Sequence, residues 1–213
     1  MNIRKDQSQL RRRYKEINWG VHRRLAEEFF QRVALQAKKD GFFENLYVSV
    51  NAEERQIQLA AGSHPAGHLE PTFDQHGNRT GQRFPTEGGA TLVISQGGDG
   101  SVSIFLFPFS SERMNMKIPC ITWAIFSDPT KITKYILERV VRDFFIYMNV
   151  SSVKLSETLP ERIRIKFLEL RGLKYSEGGG FLPFVFRHWF KELIILVAAI
   201  ATIAAYLSNL FSQ

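Results

Sequence analysis

One cysteine, Cys120, is too few for an intramolecular disulfide and suits a reducing cytosol. It lies in the apolar run Ile118–Phe126, which assigns the thiol a buried structural role instead of nucleophilic chemistry. The first residues, Met1-Asn-Ile-Arg-Lys-Asp6, contain no apolar run, so no cleaved signal peptide is expected. Catalytic signatures are missing as well. No local pattern marks a Ser-His-Asp, Cys-His or paired-carboxylate site. Neither His22 nor His188 follows an arginine at the offset of about five residues used by some helical ribonuclease sites, so no enzyme activity is expected. Gly97, Gly98 and Gly100 do not make a phosphate-cradling loop, because no lysine follows and the next segment reads as a strand. Three of the five histidines, His64, His68 and His76, share one stretch, but no cysteine joins them and their spacing fits no zinc pattern. No metal and no cofactor are assigned.

Charge is absent from one further place, Leu193–Leu207, where the only hydroxyls are Thr202 and Tyr206. Continued to Phe211, this run is about 19 residues, or roughly 28 Å as a helix, which matches the hydrocarbon core of a bilayer. Ile194, Ile195, Val197, Ile200, Ile203 and Leu207 point all around such a helix, whereas a helix docked on a soluble core shows a polar face. Just upstream, Phe181–Lys191 mixes aromatic rings with Arg187, His188 and Lys191, and with Trp189 forms an interfacial anchor. Ser208–Gln213 carries no charged side chain, so positive residues flank the span on one side only and the preceding domain faces the cytosol. The expected location is the inner (cytoplasmic) membrane.

The net charge of +7 is unevenly spread. Residues 1–40 hold 11 basic and 5 acidic side chains, 41–130 hold 5 and 9, and 131–180 hold 10 and 6. Basic surface therefore belongs to helices at both ends, with a solvated face, anionic lipid or a nucleotide as its uses. Arg11, Arg12, Arg13, Arg23 and Arg24, with Arg79 and Arg83, are the candidate contacts to an anionic ligand.

Taken in order, residues 4–39 read as helix, with a break at Asn18-Trp-Gly20 and a core face through Leu25, Phe29, Val33 and Ala37. Leu46–Val50 and Gln56–Ala60 alternate as a hairpin, and Ala90–Gln96 and Ser101–Phe107 as a second. Residues 62–89 lack any period and are expected as a long solvated loop, ordered by a ligand. Ile118–Phe126 reads as a fifth strand. Asp128-Pro129 opens a helix running to about Asn149 with Ile132, Ile136, Val140, Phe144 and Tyr147 on one face. Thr158-Leu-Pro-Glu161 is a capping box for a last helix ending near Gly172. Glu177-Gly-Gly-Gly-Phe181 is a flexible joint. The expected fold is α+β: an antiparallel sheet of about five strands flanked by N- and C-terminal helices (residues 1–176). An interfacial segment (177–191) and one transmembrane helix (192–213) complete the chain.

Within that span Ala198 and Thr202, Ala201 and Ala205, and Ala204 and Ser208 form small-xxx-small pairs, which let helices approach closely. Thr202, Tyr206, Ser208 and Asn209 offer hydrogen bonds between helices or to a narrow water path. Two functions are compatible with this: a homo-oligomeric effector whose sensor domain gates a bundle of these helices, or a tail-anchored adaptor with no pore. In its order of parts the chain resembles the small membrane effectors of bacterial anti-phage systems, of the cyclic-oligonucleotide-signalled or Hailong-channel type. Basic helices, a small sheet, Glu177-Gly-Gly-Gly-Phe181 and a terminal span carry the resemblance. It assigns no residue a role. It implies defence by membrane disruption, gated by a nucleotide or oligonucleotide from a signal-producing partner enzyme.

Overall fold

The structure, a computed structural model, describes residues 3–53, 55–67, 69–111, 116 and 118–176. Residues 1–172 form one compact unit; of the second, 173–213, only the end of the last helix is described. The chain opens with helix α1 (Ile3–Lys39), followed by strands β1 (Leu46–Asn51) and β2 (Gln56–Ala61). Four short strands come next, β3 (His64–Pro65), β4 (Glu70–Phe73), β5 (Arg79–Arg83) and β6 (Thr86–Gly88), then the longer β7 (Thr91–Gln96). They lead to β8 (Val102–Phe107), β9 (Ser110–Ser111) and β10 (Ile121–Phe126). A 3₁₀ turn at Pro129–Lys131, α2 (Lys134–Ser151) and α3 (Leu159–Ser176) complete it.

The five strands expected from alternation make one antiparallel sheet, in the order β1-β2-β7-β8-β10. Period 2 sends Ile57, Leu59, Leu92, Ile94, Val102, Ile104 and Leu106 to one face, where all are fully buried. Trp19, Ala26 and Phe30 of α1 join that core, together with Leu137, Val140, Phe144, Tyr147 and Met148 of α2. Each such large apolar side chain contributes about 1.5–3 kcal/mol on burial, and this layer is the main source of stability. Tyr147 is packed deeply enough that burial, reinforced by the nearby Glu169 carboxylate and Cys120, pushes its phenol far above the ordinary value.

Three sequence expectations need correction. The first helix does not break at Asn18-Trp-Gly20 but runs through it as α1. Trp19 is almost fully buried there, and its packing outweighs the roughly 1 kcal/mol by which Gly20 disfavours a helix. On α1 the core contacts fall on Ala26, Phe30 and Ala37, with Phe29 and Val33 half-buried and Leu25 largely outside. Second, Asp128 and Pro129 start only the 3₁₀ turn; Asp128 accepts from Thr130 N, and α2 begins anew with Thr133 as its cap. Ile132 separates them because its buried side chain and a backbone carbonyl held by His22 (3.0 Å) pull it out of helical geometry. Third, 62–89 is not a loop. It folds into the β4–β5 hairpin and into two strands of a small sheet, β3-β6-β9.

The glutamate half of the expected capping box forms. Thr158 donates through both its backbone N–H and its hydroxyl to Glu161 (2.9 Å each), and Asn149 donates to the other carboxylate oxygen (3.0 Å). The Asn149 amide first, then the two Thr158 groups, hold the Glu161 carboxyl below the usual glutamate range. A depressed folded-state pKa stabilises above the unfolded value of about 4.3 and loses that contribution as pH falls through the folded value. Thr158→Ala should therefore cost about 1 kcal/mol at neutral pH and much less in acid. Urea midpoints for both proteins at about pH 7 and at stepwise lower pH through the carboxyl titration measure this. An equal cost throughout would contradict the reading.

Candidate functional site

Among the described residues the helices cover one face of the main sheet and leave the other to build a site. Alternation places Gln56 and Gln58 of β2, Thr91, Val93 and Ser95 of β7, and Phe105 and Phe107 of β8 on that second face. The strand register lines them up in rows. Ser49, Gln58, Val93, Phe105 and Thr122 form one row, Ala60, Thr91 and Phe107 the next, and Gln56, Ser95 and Ser103 a third. Pro108, Ser110, Met116 and Pro119 stand at the margin, enclosing a groove of about 700 Å³. At its end lies Gly89, where a Cβ would sit 1.8 Å from the carbonyl oxygen of Ala61, so only glycine fits.

The groove lining has a defined chemistry. Among the described residues it contains no charged side chain. Two glutamine amides, each with a donor and an acceptor end, stand two residues apart on β2, beside the hydroxyls of Thr91 and Ser95. Two phenylalanine rings stand two residues apart on β8, roughly 7 Å along the strand. Aromatic faces for stacking, next to amides for edge hydrogen bonds, suit a flat, neutral, polar ring such as a nucleobase.

A buried polar cluster fixes the margin. His64 Nδ1 lies 2.8 Å from Glu44 Oε1, and Nε2 lies 2.8 Å from Glu87 Oε2. Neither ring N–H points squarely at its oxygen, so neither contact is a linear hydrogen bond. Glu87 is fully buried and also accepts from Ser152 Oγ (2.8 Å) and Val153 N (3.0 Å). Phe43 and Phe109 pack steeply tilted rings against the imidazole, with centroids at 5.5 and 5.4 Å. Through β6 and β9 this anchors Gly88 opposite Ser110, a groove residue. Of the three histidines considered for a metal, His64 is thus engaged by carboxylates in direct contact, and His76 lies in the β4–β5 turn. His68 lies outside the described residues.

The candidate arginines do not gather. Arg11, Arg12 and Arg13 are consecutive on α1 and exposed, so they project about 100° apart, and Arg12 pairs with Glu16 at 3.5 Å. Arg24 is exposed; Arg23 is half-buried, and its Nε finds no hydrogen-bond partner among the described residues. Since α1 packs on the helix-covered face, the sheet lies between these residues and the groove. Arg79 and Arg83 are exposed at the two ends of β5, which pairs with β4. The membrane-interface residues Arg187, Trp189 and Lys191 lie outside the described residues. So do the helix-packing residues Ala198, Ala201, Thr202, Ala205, Tyr206, Ser208 and Asn209. Among the described residues no helix is long and apolar enough to cross a membrane. Compared with protein-family models, curated proteins and solved structures, the chain finds no match in any of the three.

Proposed function

We propose that the chain is a tail-anchored membrane effector whose cytosolic α+β domain senses a nucleotide or oligonucleotide and controls an oligomeric bundle of its C-terminal helices, in anti-phage defence. The sensing half rests on the groove: among the described residues, an uncharged, amide- and phenylalanine-lined surface on the sheet face that their helices leave open. The ring of the ligand stacks on Phe105 and Phe107 and meets Gln56 and Gln58, while its phosphates stay outside the lining. The membrane half rests on the charge-free run Leu193–Leu207 with basic and aromatic residues on one flank only.

Titration calorimetry of residues 1–176 with short oligonucleotides and cyclic dinucleotides tests the sensing half. Removing one stacking ring is worth about 1–3 kcal/mol, so Phe105→Ala should weaken binding by about 5- to 150-fold with the fold intact. Charge reversal at Arg12, across the sheet, should change affinity far less. Absence of binding by every ligand, or equal binding by wild type and Phe105→Ala, would remove the groove from the proposal.

A further inference from the structure

Helix α1 carries two apolar stripes on opposite sides. Trp19, Ala26, Phe30 and Ala37 are buried on the inner one. At 100° per residue, Leu10, Tyr14, Ile17 and Val21 fall within about 60° of one another on the outer side, with Leu25 at the edge. These four are 53, 65, 58 and 62 % exposed. A helix docked by one face normally turns a polar face to water, and this one does not. The spacing, four residues, then three, then four, is that of a coiled-coil seam, not of scattered surface residues.

We propose that this outer stripe is a self-association surface, occupied by the same stripe of a second copy of the chain running antiparallel. It is self-complementary, as a two-fold interface requires. The four paired side chains expose on the order of 400 Å² per copy, so the seam itself buries about 800 Å² in a pair, and the residues flanking it bring the contact toward the roughly 1,000 Å² of a specific interface. From Lys15 onward α1 is already docked, through Gln96 on the Lys15 carbonyl and Trp19 in the core, so pairing of that half involves little further ordering.

Charge selects the direction. In a parallel pair the Arg11–Arg13 triplets would lie side by side, and Arg24, next along the seam, would face its own copy. An antiparallel pair about a two-fold between Lys15 and Glu16 stacks Leu10 on Val21 and Tyr14 on Ile17 of the other copy. It sets each arginine triplet beside uncharged Asn18, Trp19 and Gly20. Gly20 gains a use there. Among the described residues nothing beyond the backbone of its own helix lies within 4 Å of where its Cβ would be, so no contact among them demands a glycine at that point. Flanking the seam, the missing side chain leaves room for Arg13 of the other copy. None of this depends on the groove or on the membrane anchor.

Disulfide trapping tests it in the full chain, in a Cys120→Ser background, with oxidant added to cells or membranes. Leu10→Cys and Val21→Cys chains, differently tagged, are expressed singly and together. A mixed dimer on co-expression is expected, with several-fold less dimer from either chain alone. Adding Ile17→Glu to both should abolish it without moving the thermal unfolding midpoint, since Ile17 faces outward. Equal trapping of Leu10→Cys alone would make the pair parallel and overturn the antiparallel assignment; trapping that survives Ile17→Glu, or no trapping at all, would overturn the surface. So would an introduced thiol in the Leu10→Cys chain that is shielded from maleimide until the chain is cut after Ser176, which would hand the stripe to its own C-terminal segment.

Discussion

Replacing Glu87 by alanine is expected to cost about 3 kcal/mol, because it leaves several polar groups without their partner at about 1–3 kcal/mol for each one buried. The carboxylate has no exposure and serves three groups at once: His64, Ser152 and the Val153 N–H. Its removal strands donors where water does not reach, and the penalty is set by those orphans more than by the lost attraction. Glu87→Gln keeps the shape and an acceptor for Val153, so its cost should be clearly smaller. Urea unfolding of residues 1–176 reads both. A loss under about 1 kcal/mol for Glu87→Ala, no more than one ordinary hydrogen bond, would mean that water or a rearranged His64 replaces the carboxylate. The margin of the groove would then not be held from within.

The second large effect is expected at Asp143. This carboxylate, also fully buried, receives both Arg164 Nε (3.0 Å) and Nη2 (2.9 Å), and the Trp123 indole N–H at 2.7 Å. One side chain of α2 thereby ties together β10 and α3. Arg171 adds to the join by donating to the Trp123 carbonyl and lying over its ring at 4.9 Å. Asp143→Ala should cost about 3 kcal/mol, the lower end of the roughly 3–5 kcal/mol for breaking a buried ion pair from one side, because the Arg164 side chain is 30 % exposed and can turn to water. Arg164→Ala alone should cost less than that, and the double variant less than the two together, because the partners share one interaction. Urea unfolding of the three variants gives the coupling, and additive costs would show that the fork carries none.

How far these features could be read in advance depended on whether the signal was local. The main sheet was legible because Leu46–Val50, Gln56–Ala60 and Ala90–Phe107 alternate over a half-buried surface, and each expected strand lies within a residue or so of its place, β10 apart. The small strands were not. His64–Pro65 and Ser110–Ser111 are two residues each, too short for any period, and they exist because β6 lies between them. Glu44, His64 and Glu87 come from three separate segments, and no spacing announces their meeting. Asp143 did leave a trace, since it falls between Val140 and Tyr147 on the apolar face of α2, where an acid needs a partner. The groove was half-visible: the outward residues of β2, β7 and β8 follow from alternation, but nothing local shows that none of the described helices covers them. Trp19 misled, because Asn18-Trp-Gly20 reads as a break until the indole is seen buried in the core.

A folded sensor domain tied to a membrane by its C-terminal segment is the central claim, and fractionation addresses it most directly. Full-length protein and a chain ending at Ser176 are expressed side by side, and their membranes are washed with alkaline carbonate. The full chain should remain in the pellet and leave only with detergent, while the shorter chain should stay in the supernatant with a cooperative unfolding transition. A full-length chain released by carbonate, or a shorter chain that pellets as the long one does, would contradict the assignment of the anchor to residues 192–213.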